Sequence, residues 1–117
     1  MQEYLLIFRG GDTETAQGSP EKWQAHMQRW MSWMDNLGKA GRLVGGKPLE
    51  MTGKQVSGTR KLVSDGPYAE GKDLVGGYLL VTGETYEEAV GLAKGCPILE
   101  FENGTVEVRA IRPVPGM

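Results

Sequence analysis

The stretch DGPYAEGKDLVGGY, Asp65 to Tyr78, gathers four charged groups and two phenols: Asp65, Glu70, Lys72, Asp73, Tyr68 and Tyr78. A carboxylate beside a cavity can act as a general base. Asp65 stands ahead of Gly66-Pro67, so its oxygens can instead accept N–H bonds in the turn it opens. The turn role is the first reading of Asp65 and the catalytic role the second. Tyr68 and Lys72 are ligand candidates from the same loop, where solvated charge is the plainer reading of Lys72 and Glu70. Tyr78 can line a cavity, or pack its ring and send its hydroxyl to water.

His26 is the only histidine, so any imidazole acid–base chemistry must use it. It falls beside Trp33 on the flank of an apolar helical stripe, which suits a packed or half-exposed residue and, second, a cleft residue. Glu107 and Arg109 alternate with Val106 and Val108, so both point to one strand face. If that face lines a cavity, Arg109 is the chain's best anion handle, because a guanidinium grips a carboxylate in a fork. If it meets solvent, the pair contributes little. The single cysteine, Cys96, reads as an inert structural thiol.

The bulk numbers exclude several classes. One cysteine forms no intrachain disulfide, and one Cys with one His makes no ordinary zinc site, so no metal or other cofactor is expected. A net charge of −2 argues against direct nucleic-acid binding. The start MQEYLLIFRG does not read as a signal peptide, and no apolar run approaches the length of a membrane span. A cytoplasmic protein is the expectation. The 117 residues suit a single domain over 1–117.

The elements that must position these groups are legible in outline. EYLLIFRG (Glu3 to Gly10) is apolar on both parities, a strand covered on both faces. Ser19-Pro20-Glu21 starts a helix running to about Lys39, with Trp23, Met27, Trp30, Met31, Met34 and Leu37 as its inward stripe. RLVGGKPLE is a short strand, and KQVSGTRKLVSD a hairpin turning near Ser57-Gly58. Val75 to Thr82 is a second buried strand. Thr85 and Glu88 form a capping box for a helix from Tyr86 to Lys94, with Ala89, Val90, Leu92 and Ala93 inward. Thr105 to Pro113 is the last strand. The order is the split βαβ of an α+β ferredoxin-like fold, with an inserted β-hairpin. Two helices cover one sheet face only. A second copy facing the other side predicts a homodimer enclosing a cavity, a dimeric α+β barrel.

These motifs resemble the DGPF group of YCII-related proteins. The resemblance rests on Asp65, Gly66, Pro67, Tyr68, Glu70, Lys72, Gly76, Gly77, Tyr78, Cys96, Pro97, Glu107 and Arg109, and on WMSWMDNLGKAGRLVGGKPL upstream. Tyr68 stands where phenylalanine names the motif, and Gly71 where threonine is frequent. The resemblance implies a dimeric α+β barrel. It also implies a His–Asp pair suspected of acid–base catalysis in the wider family. Matched through AGRL, the family histidine falls on Trp30, one helical turn after His26, and the aspartate falls near Cys96. Neither is kept in place here. Some members resemble accessory partners of extracytoplasmic-function sigma factors.

Two functions follow. The first is a small-molecule-binding barrel with isomerase- or lyase-like acid–base chemistry. Asp65 and His26 are its catalytic candidates; Arg109, Tyr78, Tyr68, Lys72 and Glu107 are its ligand contacts. The second is a non-enzymatic accessory module binding a regulatory partner through an exposed face.

Overall fold

A computed structural model describes residues 1–11, 19–66 and 73–116. Strand β1 (Gln2–Arg9) buries Tyr4, Leu6 and Phe8 on one face and leaves Leu5 and Ile7 half-buried on the other. Helix α1 (Pro20–Lys39) begins where Ser19 Oγ accepts from the Lys22 N–H at 3.4 Å. It ends in a Schellman turn: Arg42 N–H donates to Leu37 O (2.9 Å) and Gly41 N–H to Gly38 O (3.0 Å), with Gly41 at φ +72°.

The rotation of α1 differs from the sequence expectation. Its inward line is His26, Trp30, Trp33, Met34 and Leu37, while Trp23, Met27 and Met31 are exposed. Phe8 sets this rotation, meeting Trp30 at 5.1 Å and Trp33 at 6.1 Å in edge-to-face contacts. With Trp30 inward, one step of roughly 100° turns Met31 away. The positions 26, 30, 33 and 37 carry the helical period as well as the methionines do, but a histidine had to be counted as apolar to see it.

Strand β2 (Leu43–Pro48) pairs with β5 (Val75–Gly83), which pairs with β1, which pairs with β6 (Thr105–Ala110). Every pairing is antiparallel. The order β2-β5-β1-β6, with α1 joining β1 to β2 and α2 (Tyr86–Ala93) following β5, is the ferredoxin-like α+β fold. Gly46 permits the close β2–β5 contact: at φ +155°, a Cβ there would collide with Tyr78 O and Leu79.

Between β2 and β5, strands β3 (Gly53–Ser57) and β4 (Leu62–Gly66) form a separate two-stranded sheet. Thr85 caps α2, its Oγ1 accepting from the Glu88 N–H at 3.2 Å. The expected capping box is only half made, because the Glu88 carboxylate turns to Arg42 Nη1 at 2.5 Å. Val90 is exposed rather than inward; Ala89 and Ala93 are the buried contacts. A 3₁₀ turn (Pro97–Glu100), unforeseen because Gly95 and Pro97 read as a stop, buries Pro97 and Ile98.

Candidate functional site

Strand alternation sorts the candidate side chains onto two sides of the sheet. Tyr78 on β5 and Glu107 on β6 both stand opposite Ile7 of β1, and Lys47 on β2 stands opposite Tyr78. One row therefore reads Lys47–Tyr78–Ile7–Glu107 across the face away from the buried Tyr4–Leu6–Phe8 line. The next row reads Gly45–Leu80–Leu5–Arg109 by the same registers. The sheet thus brings Tyr78, Glu107 and Arg109 to one face, over a half-buried floor of Leu5, Ile7 and Leu80.

Glu107 sits between two guanidiniums. Arg9 Nη1 contacts Glu107 Oε1 at 2.5 Å, whereas Arg109 Nε stands 3.8 Å from Oε2, too far for a hydrogen bond. Arg9 thus binds the carboxylate. Arg109, with 69% of its side chain exposed, has no hydrogen-bonded acceptor among the described residues. Sequence reasoning missed Arg9 and Lys47; the cross-strand register, invisible in the linear chain, is what adds them.

His26 lies on the opposite, helix-covered side and is 7% exposed. The Trp30 indole N–H donates to His26 Nε2 at 2.9 Å, which leaves the neutral ring's proton on Nδ1, 3.2 Å from Glu100 Oε2. Both ring nitrogens are therefore engaged. Arg29 grips the same carboxylate twice, at 2.5 and 2.7 Å. The Arg29 hydrogen bonds, opposed by partial desolvation and aided by His26, hold the Glu100 carboxyl below its usual range. Arg29, Lys94, Cys96, Pro97 and Glu100 line an open cleft of about 320 Å³ beside this cluster. Its guanidinium is already committed to Glu100, which leaves Lys94 as the cleft's other cation. Burial pushes the Cys96 thiol up to about 12.

Asp65 lies on β4 of the hairpin, 74% exposed, and pairs with Lys54 across the strands. It meets neither Arg109 nor His26. Tyr68 and Lys72 lie outside the described residues. Among the described residues no cluster of three or more metal-ligating side chains forms, and no helix is long and apolar enough to cross a membrane.

The topology and the charged open face define a ferredoxin-like α+β protein with a polar-rimmed sheet surface. The model of the YCII-related domain matches residues 4–115, and the chain belongs to that family. No curated protein matches it. Among solved structures it is similar to 5-chloro-2-hydroxyhydroquinone dehydrochlorinase from Burkholderia phenoliruptrix AC1100, in complex with 2,5-dihydroxybenzoquinone. That similarity has 19% identity, covers 89% of this chain and 90% of that one, and has a TM-score of 0.44.

Proposed function

We propose that this chain, a single domain of the DGPF group, binds a small organic molecule with an anionic group on its open sheet face. The observation that carries this reading is the position of Arg109. Its guanidinium projects beside Arg9 and Glu107 over the apolar Leu5–Ile7–Leu80 floor, with no hydrogen-bonded carboxylate of its own among the described residues. An apolar floor with a few placed polar groups is the usual form of a small-molecule site. A second copy facing this surface would exclude water and strengthen the anion contact.

Isomerase- or lyase-type turnover is the enzymatic extension of this reading. The Tyr78 hydroxyl and the Glu107 carboxylate are the groups already on the face that could hand over or take up a proton. Asp65 is a catalytic candidate only where a second copy closes over the hairpin. His26 spends both nitrogens on Trp30 and Glu100, so its part is to hold the 3₁₀ turn against α1. An accessory role toward a regulatory protein is the second reading, favoured by the exposed Trp23, Met27 and Met31 on α1.

Thermal unfolding against a panel of small aromatic and aliphatic carboxylates tests the first reading. At about 100 times its Kd a ligand adds about 2.7 kcal/mol, a shift of several degrees. We expect at least one acid to produce it. Arg109→Gln should abolish the shift while leaving the ligand-free Tm nearly unchanged. No shift with any acid, or a shift that survives Arg109→Gln, rejects the reading.

A further inference from the structure

We infer that the β3–β4 hairpin is an arm that docks on a second copy of this chain. Every residue of its two strands except Gly66 is exposed. The chain's radius of gyration is 16.0 Å, against about 13 Å for a compact domain of this length. A two-stranded hairpin standing alone in water is marginal at best. This one lacks a covered face in its own chain, among the described residues.

Its surface is suited to a partner. Val56 and Val63 stand opposite each other on one face, 66% and 68% exposed, beside the Lys54–Asp65 pair. Leu49 and Met51, at the root of the arm, are exposed as well. The outer edges of β3 and β4 are unpaired in the two-stranded sheet, a liability that native proteins cover or blunt.

Charge favours a second copy as the occupant. Residues 53–66 carry Lys54, Arg60 and Lys61 against Asp65, a net +2. The whole chain is −2, so the rest of it carries −4. A basic arm therefore finds a complementary acidic body in another molecule of its own kind. The arm is also joined to β2, the edge strand of the sheet whose open face the proposed function pairs with a second copy. The inference rests on that pairing of copies and not on the ligand.

Val63→Lys tests it, because the residue is exposed and its replacement leaves the core untouched. We expect a wild-type dimer at micromolar concentration by sedimentation equilibrium. The variant should dissociate at least ten times more readily, with an unchanged far-UV circular dichroism spectrum. Hydrogen exchange on the wild type gives an independent measure: the arm's amides should be protected in the dimer. A monomeric wild type, a variant dimer as tight as the wild type, or freely exchanging arm amides each overturn the inference. Acid-induced stabilisation that depends on Arg109 would still stand after such a failure, so the two readings fail separately.

Discussion

Glu100 joins two side chains of α1 to the 3₁₀ turn, holding Arg29 through both oxygens and His26 through one. Its carboxyl titrates below the ordinary value of about 4.3. A depressed folded value means the contribution is complete above that pH and is lost as pH falls through the folded value. Partial exposure keeps it near 1 kcal/mol or less. Glu100→Gln should therefore be slightly less stable at neutral pH, and the gap should close on acidification in urea titrations. Cys96, buried with its thiol pushed up to about 12, should alkylate about a hundredfold or more slowly in the native protein than in the unfolded chain at pH 8. A structural role for Cys96 was legible because no histidine stands near it in sequence, and the residue is buried. The Glu100 cluster was not, because its members lie 71 and 74 residues apart and only the tertiary fold joins them. Arg109 and Glu107 were assigned to a common face by alternation alone. The nature of that face depends on where the helices pack, which alternation does not encode.

Elements whose ends carry local chemistry were read closely. Ser19 and Thr85 mark helix starts because their side chains accept N–H bonds from three residues on, an interaction written in adjacent sequence. What escaped was anything set by a distant partner: the rotation of α1 against Phe8, the diversion of Glu88 to Arg42, and the 3₁₀ turn. That turn is held against the start of β6 at Gly104, where a Cβ would collide with the Ile98 carbonyl oxygen. Gly104→Ala should cost about 1–3 kcal/mol, the usual scale of forced overpacking, measured by chemical denaturation. Gly76→Ala is the control, since a Cβ there meets nothing within 4 Å. It should change stability much less.

For the molecule as a whole, the strand–helix order in the sequence sufficed to infer the ferredoxin-like sheet, because two βαβ units and short connections leave few ways to pair. The protruding arm was not legible: its sequence reads as an ordinary hairpin, and its lack of cover is a property of the assembled chain. The same topology carries a consequence for biosynthesis. β1, made first, lies between β5 and β6, and its pairings join Gln2 to Gly83 and Tyr4 to Ala110. On the ribosome this apolar strand must wait for β5 (Val75–Gly83) before it has a first neighbour, and for nearly the whole chain before β6 covers its other edge. Nascent chains stalled before β6 should leave one edge of β1 open, bind chaperones and yield to protease, and extension through Ala110 should bring resistance in one step.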